Sequence, residues 1–411
     1  MRHATGAFRL AICLALLSAG TAFTQTTDDE ATSNIAAAPV AYIYVQTTNG
    51  INVYDATAAG KLTLVKGSPF KTSGQMEGIN GKYLLSVGTT NIRAYAIESN
   101  GAVGKQASNI NTQNYSGSEC GNTTGNGAVL DHTGKYFYVQ LYGNLSSGED
   151  ICDAWQAYEI KSNGDLLFLD GVVNPTAAFG GATWLYPTAI SSNDKFMLGA
   201  YWQYGDYTEE SEFTLTAGKL TVNKYKETDP VANLNDWTGY YPILAAADPA
   251  SHLAVLVYPL DGVPYGNIGP WQLASYTIND TNGSITSSNT WENMPYPKYP
   301  PLNLQNSFEV SITGLRMSPS GKLLAVAGYP GLQLFHFNGA NPITTFSGLL
   351  LPAVDIDQLG WDNNNHLYAL SYSAEALYVY TVTPTSFSEV AGSPFHIANA
   401  YGIKGLTVVP K

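Results

Sequence analysis

Three carboxylates and one amide of this 411-residue chain have the chemistry of a metal-binding or proton-transfer site. They are Glu77, Asn126, Glu309 and Asp357. Carboxylate and amide oxygens are the ligands that Ca²⁺ prefers, and a carboxylate beside a reacting water can act as a general base. No acidic spacing in the chain matches a calcium-binding loop, so solvated carboxylates at loop edges are the alternative. We therefore expect no cofactor, with Ca²⁺ as the one metal that this set would suit.

A second group of candidates consists of aromatic side chains that could bind a ligand. Flat rings stack on the C–H faces of sugars and other polyols, while neighbouring carboxylates and amides accept hydrogen bonds from the hydroxyls. The alternative is that these rings and nearby prolines pack on each other as small loop cores, with nothing bound. The candidates are Trp155, Trp184, Tyr186, Trp202, Tyr204, Trp237, Tyr241, Trp271 and Trp291.

Nucleophilic and histidine-based chemistry has little support in the sequence. The chain contains no G-x-S-x-G, Walker, H-E-x-x-H or C-x-x-C motif. His132, His252 and His366 fall at predicted turns, where we expect structural or merely exposed side chains. His396 lies in a connection between predicted sheets and is a general-base candidate. This scarcity argues against a histidine-based hydrolase.

Two cysteines, Cys120 and Cys152, remain when the N-terminal leader is set aside. In an exported protein, two cysteines on one face of a domain are expected to form a disulfide. The bond would close a loop of about 30 residues, stabilise the fold by about 3 kcal/mol and pin the predicted loop at 146–155. A metal or redox pair is the alternative, but no further cysteine or nearby histidine supports it.

The strands and turns that must position these residues recur along the chain as two repeated sequence patterns. A polar turn followed by a strand of large residues recurs six times, at 79–87, 131–139, 191–199, 248–256, 318–326 and 362–370. An aromatic strand, a turn and a short strand recur seven times, at 53–62, 95–103, 158–166, 213–220, 276–285, 335–343 and 379–390. Several of these turns read Asn-Gly, the strongest short hairpin signal. Four-stranded units at intervals of about 40 to 55 residues predict an all-β fold, a seven-bladed β-propeller.

The two ends of the chain complement each other. Residues 41–45 (AYIYV) begin a unit at its second strand, and residues 402–411 (GIKGLTVVPK) supply a first strand with nothing after it. We expect the tail to complete blade 1 as its innermost strand, which closes the ring and removes free sheet edges. The phrase GSPF occurs at 67–70 and again at 392–395, after the fourth strands of blades 1 and 7. These blades are neighbours in a closed ring.

The stretch YIYVQTTNGINVYDATAAGKLTLVKGSPF and the phrase SPSGKLLAVAG resemble the repeats of the YVTN-type, lactonase-like seven-bladed β-propellers. The resemblance extends over residues 41–411 and implies the same fold. Members similar to 6-phosphogluconolactonase are hydrolases, and many others are exported without an assigned activity. The phosphosugar enzymes are expected to hold phosphate with arginine, whereas this chain has only Arg93 and Arg316 outside the leader. No catalytic residue matches by motif, so none is carried over.

The predicted strand order gives the ring two unlike faces. Loops between second and third strands share one face, the top face, with the connections between blades. Long loops rich in Trp, Tyr and carboxylates concentrate there at blades 4 and 5, as at 201–210 and 258–272, whereas blade 6 has only 328–331. Loops on a rigid scaffold commonly carry function. We expect the first strands to bring six side chains to the channel mouth: Glu77, Asn126, Tyr186, Tyr241, Glu309 and Asp357.

The composition and the N-terminal sequence limit the classes of function that this protein can have. The net charge of −13 argues against binding to nucleic acid or to anionic membranes. Residues 1–22 have the basic start and short apolar run of a cleaved signal peptide, with a retained anchor as the alternative, and residues 23–40 read as a flexible leader. We therefore expect a secreted or periplasmic monomer with no transmembrane segment after cleavage.

Taken together, the sequence favours an exported, non-catalytic propeller that binds a small molecule, a glycan or a protein on its top face. One alternative is a lactone or sugar-ester hydrolase at the channel mouth, with Glu77, Glu309 or Asp357 as base or metal ligand. The other alternative is a purely structural envelope protein.

Overall fold

The computed structural model describes residues 38–113, 120–145, 151–173, 184–203, 206–222, 230–231, 240–259, 271–297, 312–329 and 331–411. Every regular element within these ranges is a β-strand, so the chain is all-β as predicted. The same ranges contain no helix with the length and apolar character needed to cross a membrane.

The strands form seven antiparallel sheets, here blades 1 to 7. Blade 1 contains β1 (Ala41–Thr47), β2 (Gly50–Ala56), β3 (Leu62–Leu64) and the last strand, β29 (Gly405–Pro410). Blade 2 contains β4 (Gln75–Ile79), β5 (Tyr83–Val87), β6 (Asn91–Ile97) and β7 (Val103–Asn111). Blade 3 contains β8 (Cys120–Leu130), β9 (Tyr136–Leu145), β10 (Ile151–Ile160) and β11 (Leu166–Val173). Blade 4 contains β12 (Trp184–Ile190), β13 (Phe196–Gln203), β14 (Asp206–Thr216) and β15 (Lys219–Val222).

The remaining three blades follow the same order. Blade 5 contains β16 (Tyr240–Ala247), β17 (His252–Pro259), β18 (Gln272–Ile278) and β19 (Ile285–Ser287). Blade 6 contains β20 (Ile312–Met317), β21 (Leu323–Gly328), β22 (Gly331–Asn338) and β23 (Asn341–Thr345). Blade 7 contains β24 (Gln358–Trp361), β25 (His366–Ser371), β26 (Ala376–Val382) and β27 (Phe387–Glu389), and β28 (Phe395–His396) adds a short fifth strand beside β26.

The last strand closes the ring, which confirms the predicted propeller. β29 runs antiparallel to β1, from Ala41 opposite Pro410 to Gln46 opposite Gly405. The first strand of every blade pairs on one side only, and these seven innermost strands contact one another in ring order from β29 through β4, β8, β12, β16, β20 and β24 back to β29. Their unpaired edges bound a central channel.

The six copies of the polar turn phrase share one hydrogen bond. The side chain of the first polar residue accepts the backbone N–H of the residue that begins the second strand, as when Asn80 Oδ1 accepts Tyr83 N–H at 2.8 Å. Such a side chain satisfies a backbone donor that the turn would leave unpaired. The other five capping residues are Asp131, Ser191, Asp248, Ser318 and Asp362.

Successive blades are joined by a repeated contact between a turn glycine and a ring. The glycine between the third and fourth strands of one blade lies against the aromatic or histidine side chain that opens the second strand of the blade before it. At Gly101, φ is +83° and a Cβ would stand 2.5 Å from the ring of Tyr42. We call the junction between two neighbouring blades a seam. Five other seams have the same contact, which joins Gly60 to His366, Gly164 to Tyr83, Gly218 to Tyr136, Gly283 to Phe196 and Gly339 to His252.

The two GSPF phrases have the same structure. Ser68 Oγ accepts the N–H of Val53 at 3.1 Å, and Ser393 Oγ accepts the N–H of Val379 at 3.0 Å. Each serine therefore holds the chain against the third strand of its own blade as it leaves for the next one. The GSPF phrase is therefore a structural connector, and it lies in blades 1 and 7, as the sequence predicted.

Two segments predicted as long top loops are strands over much of their length. In blade 4, β13 continues to Gln203 and β14 begins at Asp206, with these two residues opposite each other. In blade 3, β10 begins at Ile151, inside the segment predicted as the loop at 146–155. Runs rich in Tyr, Trp and Thr suit a pleated backbone, so pairing extends the hairpins towards the top face.

The contact between turn glycine and ring predicts different costs for two glycine-to-alanine changes in blade 2. Gly81 has a φ of +87°, and a Cβ added there would meet no heavy atom within 4 Å, so Gly81→Ala should cost only the backbone strain, about 1 kcal/mol. Gly101→Ala has the same strain and must also displace Tyr42, which adds about 1–3 kcal/mol. Urea unfolding of both variants measures the difference. Equal losses would contradict a role for the seam contact.

Candidate functional site

The channel wall at blades 2 and 3 carries the best-defined titratable side chain of the candidate set. Glu77 lies on β4 in a β-bulge between Met76 and Gly78, which breaks the regular register. Its carboxylate accepts a hydrogen bond from the backbone N–H of Ala128 on β8. Because β8 pairs with β9 on its other edge, this N–H belongs to the edge that faces the channel. The bulge therefore turns Glu77 towards the channel.

Burial controls the charge of Glu77. The carboxyl is half-buried, and the loss of solvent raises its pKa to about 7, although the Ala128 N–H acts in the opposite direction. A Cβ added at Gly127, next to this donor, would meet no heavy atom within 4 Å, so the wall is open there. At neutral pH the site thus holds a carboxyl that readily exchanges a proton beside accessible space.

Asp357 is placed differently. It directly precedes β24, and its Oδ2 accepts the N–H of Tyr372 at 2.6 Å. Burial raises the pKa of Asp357 and the charge of Asp355 adds to the rise, whereas the Tyr372 N–H lowers it. The phenol of Tyr372 has its pKa raised to about 12, by burial first and by Asp357 second. This acid is already engaged in holding the loop between β25 and β26.

Glu77 and Asp357 do not form a pair. Blade 1 lies between their blades, and different groups determine the pKa of each. Among the residues that the structure describes, no group of three His, Cys, Asp or Glu side chains could hold a metal ion. Glu309 lies outside the described residues, and Asn126 is described only by its backbone in β8. The predicted Ca²⁺ set therefore stays a prediction.

The histidines lie away from Glu77. His252 and His366 bind Asp248 and Asp362 at 2.9 and 2.7 Å, in the turns between first and second strands, at the end of the channel opposite the top face. His396 is exposed on β28, beside the third strand of blade 7 rather than the innermost strand. None of these positions places an imidazole next to Glu77.

One predicted ligand-binding ring belongs to the core instead. Trp155 is only 2% exposed and lies in β10, where it packs between blades 3 and 4 with its ring 6.4 Å from that of Phe213. The sequence placed it in a loop because the strand starts earlier than expected. Its burial gives it a packing role and leaves no face for a ligand.

The other aromatic candidates are distributed over the top of blades 4 and 5. Trp184 and Trp202 are opposite each other in β12 and β13, and Tyr186 and Tyr241 lie in β12 and β16. Trp271, half-buried, directly precedes β18. Trp291 is half-buried and packs against the core of blades 4 and 5, as expected if the candidate rings pack as loop cores and bind nothing. Tyr204 and Trp237 lie outside the described residues.

The two cysteines lie on different strands of blade 3. Cys120 begins β8 opposite Leu145, and Cys152 is in β10 opposite Gly143, so β9 runs between them. Regular strand spacing would set their Cα atoms about 10 Å apart, more than a disulfide spans. The bond therefore requires the strand ends to converge, and it stays a prediction.

Thiol counting tests this disulfide. If it forms, protein that lacks residues 1–22, and with them Cys13, should take up no alkylating reagent when denatured without reductant, and reduction should expose two thiols. The variant Cys120→Ser should show one thiol in both conditions. Two thiols in the unreduced wild type, measured by mass spectrometry, would exclude the bond.

These features define the class of protein: a seven-bladed β-propeller whose channel wall carries an acid with a raised pKa. No protein-family model and no curated protein matches the chain. Several solved structures, however, match the chain in fold. A Bacteroides fragilis protein with the provisional name 6-phosphogluconolactonase has a TM-score of 0.61 at 14% identity, over 90% of this chain and 98% of that one.

Two further structures agree. A Lactobacillus plantarum protein gives a TM-score of 0.60 at 14% identity, over 90% of this chain and 99% of that one. The periplasmic gluconolactonase of Pseudomonas aeruginosa gives 0.56 at 14% identity, with the same coverage. At this identity the likeness establishes the fold alone, and the predicted seven-bladed β-propeller is confirmed.

The raised pKa of Glu77 predicts a specific pH dependence of stability. A carboxyl with a pKa of about 7 in the folded state and 4.5 when exposed favours folding while it is protonated, so stability should fall as pH rises from about 4.5 to 7. Glu77→Gln should flatten this decline. Urea unfolding at pH 4.5 and 7.5 measures it, with Glu98→Gln, an exposed turn residue of the same blade, as control. An unchanged decline in Glu77→Gln would contradict the assignment.

Proposed function

We propose that the protein hydrolyses a lactone in the central channel, with Glu77 as the general base. The observation that carries the proposal is the half-buried Glu77 carboxyl with a pKa of about 7, turned into the channel by a bulge and bound by Ala128 N–H. A base works best when its pKa is near the working pH. The gluconolactonase name of one structural neighbour supports the choice of a lactone. This proposal replaces the non-catalytic binder that the sequence favoured.

The proposed reaction needs one water and one proton shuttle. The Glu77 carboxylate takes a proton from water while the water oxygen attacks the lactone carbonyl carbon. The tetrahedral oxyanion then collapses with cleavage of the ring C–O bond, and protonated Glu77 returns the proton to the leaving alkoxide oxygen. The product is a hydroxy acid, and Glu77 is again a carboxylate. The proton is accounted for at each step, because Glu77 is acceptor first and donor second.

Export is part of the same proposal. Residues 1–22 read as a signal peptide, and the Pseudomonas aeruginosa neighbour is named as periplasmic. A lactonase outside the cytoplasm would meet lactones that arise from oxidised sugars in the surroundings. The net charge of −13 fits a soluble exported enzyme better than a protein that binds anionic polymers.

Hydrolysis of a lactone panel tests the proposed function. Wild-type protein should open at least one sugar lactone, with a rate that rises with pH through about 7 as Glu77 ionises. Glu77→Gln should lower kcat by about 100-fold or more, whereas Glu98→Gln should leave it unchanged.

Each assay is run with and without Ca²⁺, because that metal suits the oxygen ligands of the top face. A wild type that leaves every lactone intact in both conditions contradicts the proposal and favours a non-catalytic binder or a structural protein. A Glu77→Gln variant that stays fully active with the same pH profile removes Glu77 from the mechanism.

A further inference from the structure

The buried side chain of Gln46 links blade 1 to the strand that carries Glu77. Gln46 is only 6% exposed and lies on β1, the second strand of blade 1. Its Nε2 donates to the carbonyl of Gly74 at 2.7 Å, and its Oε1 accepts the N–H of Met76 at 2.8 Å. Both partners belong to the segment of blade 2 that leads into Glu77. One amide therefore holds two backbone groups within the three residues that precede Glu77.

These hydrogen bonds lie at the edge of the Glu77 bulge. Met76 is opposite Ser86 and Gly78 is opposite Leu85, so Glu77 is the extra residue between them. The extra residue of a bulge has no partner in the ladder, and a bulge redirects its side chain. Because the N–H of Met76 is bound from blade 1, the chain enters the bulge in one position. The direction of the Glu77 side chain follows from that position.

Gly405 leaves the space through which the link passes. It lies opposite Gln46 on β29, the strand between β1 and the channel. A Cβ added at Gly405 would stand 3.2 Å from Gln75 Nε2 and 3.8 Å from Gln46 Oε1, so both glutamine side chains lie against this glycine. Gln75 also donates to the carbonyl of Lys404 at 3.0 Å, from the blade 2 side. Two glutamines thus join blades 1 and 2 beside a position that has no side chain.

A glutamine at this position is not a general feature of the blades. Four residues beyond the ring that meets each seam glycine, the second strand has Gln46 in blade 1 and Gln140 in blade 3. The same position is apolar in blades 2, 4, 5 and 7, where it is Val87, Ala200, Leu256 and Leu370. An apolar side chain cannot bind a backbone N–H of the next blade. The blade that precedes Glu77 therefore differs from most others at the residue that reaches the bulge.

We propose that Gln46 is a positioning residue that sets the direction of Glu77 in the proposed hydrolysis. This inference rests on the proposed function, because the direction of Glu77 matters to the rate only if Glu77 transfers a proton. Met76 is held from blade 1, while the Glu77 carboxylate is held from blade 3 by the N–H of Ala128. A base held from both sides keeps its distance to the attacking water, and a displacement of about 1 Å can cost about 100-fold in rate.

A purely structural role is the alternative, because other buried glutamines also hold connections between blades. Gln333 on β22 is buried, and its Nε2 donates to the carbonyl of Ser347 at 3.0 Å in the connection between blades 6 and 7. Neither residue lies in blade 2 or in a blade next to it. Gln333 therefore provides a matched control, since its replacement removes a buried amide contact without touching the segment that carries Glu77.

Steady-state kinetics with a lactone that the wild type opens separates the two roles. Gln46→Met keeps the length of the side chain and removes both hydrogen bonds. It should lower kcat by about 10-fold or more and leave KM unchanged, because Gln46 acts through Glu77. The rise of the rate with pH should move from about 7 towards 4.5, since burial is the main cause of the raised pKa of Glu77 and a displaced carboxyl regains water. Gln333→Met should leave kcat and the pH profile unchanged.

Urea unfolding at pH 4.5 and 7.5 gives a second readout that needs no turnover. The wild type should lose stability between these two pH values as Glu77 ionises. Gln46→Met should lose this decline, as Glu77→Gln does, whereas Gln333→Met should be less stable at both pH values and keep it. If Gln46→Met fails to fold, Gln46→Asn decides, because its amide is one carbon too short to reach Gly74 and Met76 together.

The outcomes separate this inference from the proposed function. Unchanged kcat in Gln46→Met overturns the positioning role, and so does a lower kcat with the pH profile and the stability decline of the wild type. Equal shifts of the pH profile in Gln46→Met and Gln333→Met overturn it as well. Hydrolysis that depends on Glu77 but not on Gln46 refutes this inference alone. A protein that opens no lactone, but loses the stability decline in Gln46→Met, refutes the proposed function and leaves the link between Gln46 and Glu77 intact.

Discussion

The contact between a turn glycine and the ring of the preceding blade is the constraint on which the rest of the structure depends. A blade is a sheet with two apolar faces, and it is stable only when both faces are covered by neighbours. The glycine has a positive φ and no Cβ, so the ring of Tyr42 or Phe196 can lie directly on the turn. Six repetitions of this contact set the spacing of the blades, and the spacing sets the width of the channel.

The seventh seam shows that the contact can be replaced but not omitted. The blade 7 turn reads TPTS and has no glycine. There, His336 of blade 6 forms a hydrogen bond with the carbonyl of Pro384 at 2.9 Å. Its ring also stacks on Phe346, with centroids 4.3 Å apart, and Phe346 meets Phe387 edge-on at 5.3 Å. An aromatic stack and a hydrogen bond take the place that glycine has elsewhere.

The sequence could predict this ring because the repeat is local. Asn-Gly turns, capping residues such as Asp362 and alternating strands are each encoded within about ten residues, and their number determined the blade count. Side-chain direction at strand ends is not local. Trp155 was expected in a loop and is core, because cross-strand pairing in blade 3 extends beyond the propensity pattern.

The candidate site was predictable only in part for the same reason. Glu77 was expected at the channel mouth from its strand alone, but the bulge that turns it inward depends on the register of β4 with β5, and the N–H that binds it comes from Ala128 of blade 3.

A propeller built from equal units acquires a function only where the units differ. The innermost strands of blades 2 to 6 each contain a β-bulge, and Glu77 is the one acid among the residues at these bulges. Small residues let the innermost strands approach each other, since a Cβ at Gly360 would stand 2.4 Å from Val408 of blade 1, and the innermost edges supply N–H groups such as that of Ala128. Partial burial takes water away from the Glu77 carboxyl and raises its pKa to about 7, which brings one acid on one blade into the range of a general base. The sevenfold scaffold thus provides the half-buried setting, and the carboxyl that stands at the blade 2 bulge provides the proposed chemistry.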